Sequence, residues 1–259
     1  MEAVKAKKHL GQHFLKDESV CQRMTAAIDE GKVKKVLEVG PGMGALTKHL
    51  LTRKDFETHV VEIDTESVDY LNENYKELKG KIYELDFLRT DLKELMGDEP
   101  FVVAGNFPYN ISSQILFKVL DYKDQIPEVV GMFQKEVAVR IAEKPGTKKY
   151  GITSVLLQAY YDIEYLFTVD PDKFIPAPKV HSGVIKLTRN KVKKLDCNEK
   201  FFKQVIKLAF NQRRKTLRNS LKSLIHEGID KTADIFSERP ERLSVQDFID
   251  MANLLEVKA

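Results

Sequence analysis

The feature that most constrains the fold of this chain is a regular alternation of short apolar segments with longer amphipathic ones between residues 33 and 143. The short segments are typical of buried β-strands, and the longer ones are typical of helices. Strands that alternate with helices of this length form βαβ units, and such units build a parallel sheet covered by helices on both faces. The sequence therefore predicts an α/β fold.

The same patterns predict individual elements and a second domain. Strands are predicted at 33–39, 57–63, 81–85, 100–105, 128–133, 163–169 and 184–187, and helices at 17–30, 45–54, 65–78, 112–121, 134–143 and 152–160. From about Cys197 onward only helices are predicted, at 198–212, 214–226 and 244–255. We place the boundary in the charged connector 189–197, which divides the chain into an α/β domain, 1–190, and a small helical domain, 191–259.

Composition narrows the class of protein. The 259 residues include only two cysteines, too few for a disulfide framework, and no motif predicts a metal site. No apolar run reaches the roughly 18 residues that a membrane-spanning helix needs, and the charged N-terminus lacks the apolar core of a secretory signal. We therefore expect a cytoplasmic protein without a membrane partner.

Charge is distributed unevenly along the chain. Residues 173–222 contain fifteen Lys or Arg and two acids, a balance of +13, whereas the whole chain carries only +3. Such segregation is typical of a protein that binds a polyanion with one face. The alternative is a solvated lysine-rich surface, but that would be expected to include more acids.

A glycine-rich turn follows the first strand of the alternation. Gly40, Gly42 and Gly44 lie where that strand ends and a helix begins, and they allow the backbone to approach a bound nucleoside closely. Glu62, 22 residues after Gly40, ends the second strand, where its carboxylate can accept hydrogen bonds from ribose hydroxyls. The glycine-rich turn and Glu62 together fit either a dinucleotide or S-adenosylmethionine.

Residues after the third and fourth strands separate these two ligands. Asp86 can accept a hydrogen bond from an adenine amino group, although an aspartate there is also a common turn former. Asn106, Phe107, Pro108 and Tyr109 place an amide, a rigid turn and an aromatic ring at the carboxyl end of a strand, where open α/β sheets bind ligands. An ordinary Pro-Tyr turn would not need an asparagine at this place.

This four-residue motif suits methyl transfer to an exocyclic amine. The Asn106 side-chain oxygen and the Phe107 carbonyl can each accept one N–H, which turns the nitrogen lone pair toward an electrophilic methyl group. Pro108 fixes the turn and adds no competing N–H donor. Tyr109 can stack on a base that has left its helix. Catalysis would then depend on positioning and electrostatics, with no strong general base.

The chain resembles the small-subunit ribosomal RNA adenine dimethyltransferases over nearly its full length. The matching motifs are KKHLGQHFL (7–15), LEVGPGMGALT (37–47), VEID (61–64), NFPYNIS (106–112), FIPAPKVHS (174–182) and FNQRRKTLRNSL (210–221). The resemblance implies a Rossmann-like class I methyltransferase domain with a mostly parallel seven-stranded sheet and a small all-α C-terminal domain. It also implies dimethylation of N6 on two adjacent adenosines near the 3′ end of small-subunit rRNA during ribosome assembly.

The resemblance assigns roles to particular positions. The residues expected to line the S-adenosylmethionine site are Gln12, His13, Leu15, Gly40, Gly42, Glu62, Asp86 and Asn106, and those expected to contact RNA are Phe174, Lys179, Arg213, Arg214, Lys215 and Arg218. Phe174 would sandwich the flipped adenine opposite Tyr109, although a core phenylalanine is an alternative. We expect a monomer whose partner is the small ribosomal subunit or its rRNA.

Two positions depart from the usual family pattern. His13 stands where the family usually has Asn, and Phe107 where it more often has Leu. We expect His13 still to contact the cofactor, with some sensitivity to pH. The backbone carbonyl at residue 107 is unaffected by the change of side chain.

Three other functions remain as alternatives. Methyltransferases that modify large-subunit rRNA and confer antibiotic resistance share the central motif. A non-catalytic RNA-binding assembly factor could be built on the same fold. A nicotinamide dehydrogenase fits the glycine loop, but it leaves residues 106–109 and the basic segment unexplained.

Overall fold

The structure is a computed structural model that describes residues 4–257. Its strands are β1 (Phe14–Leu15), β2 (Lys35–Val39), β3 (Glu57–Glu62), β4 (Ile82–Glu84), β5 (Val102–Asn106), β6 (Glu128–Gln134), β7 (Tyr161–Val169), β8 (Phe174–Ile175) and β9 (Ser182–Arg189). Its α-helices are α1 (Glu18–Ala26), α2 (Thr47–Leu50), α3 (Thr65–Asn74), α4 (Leu92–Met96), α5 (Ser112–Asp121), α6 (Lys135–Ala142), α7 (Ile152–Gln158), α8 (Glu199–Asn211), α9 (Leu217–Ser220) and α10 (Val245–Leu255).

Seven of the strands form one sheet in the order β4-β3-β2-β5-β6-β9-β7. The five strands from β4 to β6 run parallel, and β9 pairs with β6 in the antiparallel direction. The strand order reverses between β2 and β5, where Val36 lies opposite Thr58 on one side and Val102 on the other. In an open α/β sheet the crevice at such a reversal, outside the carboxyl ends of the strands, is where ligands bind.

Burial on both faces of the sheet explains why the sequences of the central strands are continuous apolar runs. Val36, Leu37, Val102 and Val103 are fully buried although neighbours in a strand point to opposite faces. Helices that cover both faces of a parallel sheet remove that alternation of apolar and polar residues. The predicted parallel architecture is thus the one observed, and the seven strands predicted from the sequence all form it.

Two local predictions were wrong. The helix predicted at 214–226 is only the single turn α9, because Thr216 before it has extended backbone angles and the chain turns again after Ser220. The predicted helix at 45–54 is reduced in the structure to α2, which is followed by a turn. The two-residue strands β1 and β8 were not predicted, since two residues carry no periodicity. They pair with each other, with Leu15 opposite Phe174.

The chain divides into two compact units. The first runs to Ala138 and resumes from Asp162 to Arg189, and the second comprises Val139–Tyr161 and the chain from Asn190 onward. The second unit therefore includes α7, which the predicted boundaries assigned to the α/β domain. In that unit α8 and α10 pack together, with Phe210 and Phe248 at a ring-centroid distance of 5.9 Å. None of the helices in residues 4–257 is long and apolar enough to cross a membrane.

Candidate functional site

A cavity of about 450 Å³ opens at the carboxyl ends of β2, β3 and β5. Its volume falls within the range of about 300–1,000 Å³ that is typical of sites for small molecules. All predicted cofactor and catalytic residues line it, namely Gln12, His13, Leu15, Gly40, Gly42, Glu62, Asp86, Asn106, Phe107, Pro108 and Tyr109. Residues from four strand ends and from the N-terminal arm, which we define as residues 7–15, are thus brought together.

Glu62 is the buried carboxylate of this cavity. Its Oε2 accepts the backbone N–H of Gly42 at 3.1 Å, and its Oε1 accepts the N–H groups of Ile63 and Asp64 at 2.9 and 3.0 Å. Burial raises the pKa of Glu62 above its ordinary value, while these three hydrogen bonds oppose that shift. The side chain is therefore held rigidly at the end of β3 by the glycine turn that follows β2.

Gly42 is needed for close packing against the N-terminal arm. Its φ is +55°, and a Cβ at this position would lie 2.7 Å from the ring of Phe14. Any side chain would both strain this backbone and push Phe14 away. The glycine turn thus serves the seating of the arm as well as the approach of a ligand.

Asp86 and two exposed apolar residues form another part of the wall. Asp86 Oδ1 accepts the N–H of Leu88 at 2.9 Å, so this residue does form a turn while it lines the cavity. Ile63 and Leu85, at the ends of β3 and β4, are 53% and 43% exposed. Neither residue was predicted from the sequence. Their signal was an apolar residue directly after Glu62 and another directly before Asp86.

Asn106 has its side-chain amide fixed by the N-terminal arm. Its Nδ2 donates to the backbone carbonyl of His13 at 2.9 Å. That contact occupies a donor of the amide and leaves Oδ1 as a free acceptor among the described residues. The carbonyl of Phe107, the neighbouring residue, also accepts no hydrogen bond from residues 4–257.

The ring of Phe107 holds the motif against the sheet. It is buried, and it lies edge-on to Phe133 at a centroid distance of 5.1 Å. A Cβ at Gly131 would lie 2.3 Å from this ring, so the glycine makes the space that Phe107 fills. The departure from the usual Leu is therefore accommodated inside the core.

Tyr109 is held from two sides. Its hydroxyl lies 2.5 Å from Ser182 Oγ, and its ring stacks on that of His13 with centroids 5.5 Å apart and an interplanar angle of 29°. Burial raises the pKa of Tyr109 above its ordinary value, and the hydrogen bond with Ser182 opposes this. Tyr109 is thus a neutral, positioned ring near the mouth of the cavity.

The N-terminal arm is tied to the end of β3 through Asp64. Lys7 forms an ion pair with Asp64, and Gln12 Nε2 donates to the same carboxylate at 3.0 Å. Desolvation alone would raise the pKa of Asp64, but the hydrogen bonds from Lys7, Gln12 and Ser67 hold it below its ordinary value. Gln12 was predicted to contact the cofactor, yet its amide is used to anchor the arm.

Glu38 is a second buried carboxyl group at the cavity and was not predicted. Thr47 Oγ1 donates to its Oε2 at 2.6 Å. Desolvation raises the pKa of Glu38 to about 8, with a further contribution from the nearby charge of Glu62. At neutral pH this carboxyl group is therefore mainly protonated.

The predicted RNA contacts have different environments. Phe174 is only 2% exposed and packs in the hydrophobic core, so its ring offers no free face opposite Tyr109 in this structure. Phe174 is thus the core phenylalanine that the sequence left open as an alternative. Lys179 is exposed. Within the basic segment, Lys173, Lys186 and Arg189 are engaged by Asp17, Asp29 and Asp124, which reduces the free positive charge.

The basic residues of the second unit also differ among themselves. The Arg213 guanidinium donates to the carbonyls of Lys148 and Tyr150, the latter at 2.8 Å. Arg214, Lys215 and Arg218 are exposed. They were predicted to lie along one helical stretch, but Arg214 and Lys215 lie in the turn between α8 and α9, and only Arg218 lies in α9. Arg213 therefore holds a loop, whereas the side chains of Arg214 and Lys215 form no hydrogen bond or ion pair among the described residues, and Arg218 donates to Ser237 Oγ at 3.4 Å.

Comparison with known proteins identifies relatives over the whole chain. Residues 3–256 match the family model described as ribosomal RNA adenine dimethylase. The chain is 57% identical to the ribosomal RNA small subunit methyltransferase A of Cytophaga hutchinsonii, over 100% of both proteins. It is 58% identical to the protein of the same name from Parabacteroides distasonis, over 97% of this chain and 94% of that one.

Solved structures share the fold. A dimethyladenosine transferase from Plasmodium falciparum superposes with a TM-score of 0.75 at 22% identity, covering 93% of this chain and 99% of that one. The 23S rRNA methyltransferase ErmE superposes with a TM-score of 0.66 at 25% identity, over the same shares of the two chains. The predicted Rossmann-like methyltransferase fold is confirmed.

Proposed function

Because the chain belongs to the family of ribosomal RNA adenine dimethylases, we propose that it dimethylates N6 of two adjacent adenosines near the 3′ end of small-subunit rRNA during ribosome assembly. The predicted activity itself, dimethylation of rRNA adenines with S-adenosylmethionine, is confirmed by that membership. The names of the relatives at 57–58% identity support the small subunit as the substrate. ErmE, named for 23S rRNA, is more distant, at 25% identity.

The cavity fits S-adenosylmethionine. Glu62 is a fixed carboxylate that retains acceptor capacity for ribose hydroxyls, and Gly42 lets the backbone come close to the ligand. The exposed side chains of Ile63 and Leu85 would cover the faces of a purine ring, with Asp86 near its amino edge. When bound, the cofactor supplies an electrophilic methyl group on a sulfonium. On these grounds we assign Gly40, Gly42, Glu62 and Asp86 to the binding of S-adenosylmethionine.

Asn106 carries the proposal. Its Nδ2 donates to the His13 carbonyl, so its Oδ1 remains available as an acceptor. The carbonyl of the neighbouring Phe107 is a second available acceptor. Two acceptors match the two N–H bonds of an adenine amino group. Accepting both would localise the nitrogen lone pair and orient it, which is catalysis by positioning and electrostatics.

Tyr109 and Pro108 complete the proposed site for the base. The Tyr109 ring, fixed by Ser182 and His13, offers a flat surface to a base taken out of its stack. Pro108 packs beside Gly40, since a Cβ there would lie 3.7 Å from its ring, and it keeps the turn stiff. The proton lost from the methylated nitrogen is acidic enough to pass to water.

The exposed basic residues of the second unit are proposed to bind RNA. Arg214 and Lys215 are exposed and form no ion pair among the described residues, so they are available to phosphates. Arg218 is also exposed, although its guanidinium donates to Ser237 Oγ at 3.4 Å and interacts with the charge of Asp230. Phosphate contacts fix the register of the protein on the RNA and carry no sequence information. Lys179 is assigned to the same role in the first unit, where it is exposed.

Transfer of labelled methyl groups from S-adenosylmethionine tests the substrate. Unmethylated small subunits, fully methylated small subunits and large subunits are compared in parallel. We expect label only in the unmethylated small subunits, recovered as dimethyladenosine. Label in large subunits would move the enzyme to the antibiotic-resistance methyltransferases. No label, with the cofactor still bound, would indicate an assembly factor without catalysis.

Replacement of the central amide tests the mechanism. Asn106→Ala removes one acceptor and the tie to the His13 carbonyl, and we expect methyl transfer to fall by at least about 100-fold. Cofactor binding and the thermal midpoint should change little. The control is Asn74→Ala, which removes an exposed amide on α3 that bonds only to Tyr70 within its own helix. Activity of Asn106→Ala near the wild-type level would contradict the assignment.

Charge reversal tests the RNA contacts. Arg214→Glu with Lys215→Glu should weaken binding to small-subunit rRNA and flatten its dependence on salt, because fewer counterions are released. Reversal of the exposed Lys76 and Lys79 is the control. Arg213→Ala should mainly lower the thermal midpoint, since its guanidinium holds the loop at Lys148 and Tyr150. An unchanged salt dependence in the double variant would mean that RNA binds elsewhere.

Two further properties stay predictions. A cytoplasmic location follows from the substrate, since bacterial ribosomal subunits assemble there. A monomer is expected, and sedimentation equilibrium of the full chain measures it.

A further inference from the structure

The imidazole of His13 connects three parts of the site that come from distant places in the sequence. It stacks on the Tyr109 ring, and its Nδ1 lies 2.7 Å from the carbonyl oxygen of Pro176. The backbone carbonyl of the same residue accepts the Asn106 amide. His13 therefore joins the N-terminal arm, the motif at residues 106–109 and the segment that follows β8.

The hydrogen bond to Pro176 determines that Nδ1 of the imidazole carries a proton. A carbonyl oxygen can only accept, so Nδ1 must carry the proton whether the ring is neutral or charged. The ring is thus held at one edge, with its plane lying against Tyr109. The antiparallel pairing of β1 with β8 brings the two segments together, because Phe14 lies opposite Ile175 next to this contact.

The position of Phe174 bears on which aromatic ring contacts Tyr109. The sequence predicted Phe174 as the ring opposite Tyr109, but that side chain is buried in the core. The ring that does lie against Tyr109 is His13. An asparagine, which the family usually has here, has no ring with which to make such a stack.

We propose that His13 is a positioning residue for the target adenine: its ring, anchored on the Pro176 carbonyl, fixes the Tyr109 ring on which the base stacks. This inference rests on the proposed function, since it takes the target to be an adenine. It differs from the expectation that His13 serves the cofactor. The base platform of this enzyme is Tyr109 supported by His13 on one side and by Ser182 at its hydroxyl.

The proposal predicts which kinetic quantity changes. RNA affinity comes mainly from phosphate contacts, and the cofactor is held by residues at the ends of β2 to β4. A loosened Tyr109 should therefore lower kcat and leave the KM for small subunits and the Kd of S-adenosylmethionine nearly unchanged. A misplacement of about 1 Å at a reacting group can cost up to about 100-fold in rate.

The test compares three variants of the full chain on unmethylated small subunits. His13→Ala removes the ring, and we expect kcat to fall roughly tenfold or more, with the cofactor Kd measured by calorimetry within about twofold of the wild type. His13→Phe keeps a ring but no donor, and it should restore kcat to within about threefold. His9→Ala, an exposed histidine of the same arm, is the matched control.

Other outcomes overturn the proposal. A cofactor Kd that weakens in proportion to activity would make His13 a cofactor contact. A Phe variant as slow as the Ala variant would show that a ring at this position does not position Tyr109 without the hydrogen bond to Pro176, and the stacking role proposed here would fail. An increase of kcat in His13→Ala would mean that the ring blocks the base. An unchanged kcat in His13→Ala would show that His13 does not position the target base.

A structural measurement separates this proposal from the proposed function. Crystal structures of the wild type and of His13→Ala without substrate show whether the Tyr109 ring leaves its place when His13 is truncated. Displacement supports the positioning role, and an unmoved ring overturns it, whatever the enzyme methylates. If the wild type methylates no subunit, the proposed function fails on that result alone.

Discussion

At the carboxyl end of the parallel sheet, Glu38 and Glu62 are buried carboxyl groups that form no ion pair within residues 4–257. At the amino end, Glu128 is equally buried, yet it lies 3.6 Å from the ammonium groups of both Lys32 and Lys186. Burial raises the pKa of all three acids. The two ends of the sheet therefore bury the same chemical group in different surroundings.

The different surroundings of these buried acids indicate different roles for the two ends of the sheet. Glu62 is held by backbone N–H groups and Glu38 by a threonine hydroxyl, so neither is neutralised by a cationic side chain. A carboxyl group left in this state beside a cavity is available to a ligand. Glu128, which also accepts the N–H of Asp29 at 3.0 Å, is part of a closed ionic cluster. The Oε2 of Glu128 accepts no hydrogen bond from the described residues, but Glu128 does not line the cavity, so this cluster supports the fold.

The largest effect is expected from Glu62→Gln. The change replaces one carboxylate oxygen by an NH2 group, which cannot accept from a ribose hydroxyl, and it removes the negative charge; the loss of a charged hydrogen bond costs about 1.5–3 kcal/mol. The affinity for S-adenosylmethionine, measured by calorimetry, should fall by at least about tenfold. Thermal stability should change less, since cavity water can satisfy the freed N–H groups. Unchanged cofactor affinity would remove the distinction between the two ends.

Glu128→Gln should give the opposite result. Without its charge, Lys32 and Lys186 lose a buried partner, and we expect the free energy of unfolding to fall by about 1–2 kcal/mol. Denaturant titration measures this loss, while the cofactor Kd should stay within about twofold. A variant with normal stability and weak cofactor binding would show that the ionic cluster acts on the site.

Glu38 provides the most specific test, through pH. Its folded pKa of about 8 lies above the ordinary value of 4.5, so between these two pH values the folded protein holds a proton that the unfolded chain has released. Its contribution therefore lowers stability progressively as the pH rises from about 4.5 to about 8, and it is constant above that. Below 4.5 both states are protonated and the contribution vanishes.

Thermal midpoints of the wild type and Glu38→Gln measure this dependence. The variant has no proton to lose, and all other groups are shared, so the midpoint of the wild type should decline relative to that of the variant between pH 5 and pH 8. A constant difference across this range would mean that Glu38 is not titrating abnormally. It would then resemble an ordinary exposed carboxylate and not the ligand-facing acid inferred here.

The contrast also shows which parts of the site the sequence could reveal. Gly40, Glu62, Asp86 and Asn106 lie at or just after the carboxyl ends of strands, and the ends of parallel strands meet at one edge of a sheet. Their convergence on one cavity therefore follows from local pattern alone. Ile63 and Leu85 could have been found by the same reasoning, because each is an apolar residue next to one of these acids.

Other features depended on contacts between distant segments. The short strand β1 pairs with β8 about 160 residues later, which buries Phe174 and brings His13 to Tyr109. Likewise, the hydrogen bonds of Arg213 to the carbonyls at 148 and 150 cannot be inferred from the sequence RRKTLR at 213–218, which contains four basic residues. Two-residue strands and single side-chain bridges leave no periodic signal.

The sequence by itself determined the α/β class, the order of the seven main strands along the chain, and the residue types at the cavity, because hydrophobic period and turn chemistry are local properties. The tertiary structure decided which acids are neutralised and which stay free, which aromatic ring supports Tyr109, and which arginine is structural. These outcomes depend on burial and on partners far away in the chain. The cost of burying a charge or ring is set by what surrounds it, and only the folded chain supplies that.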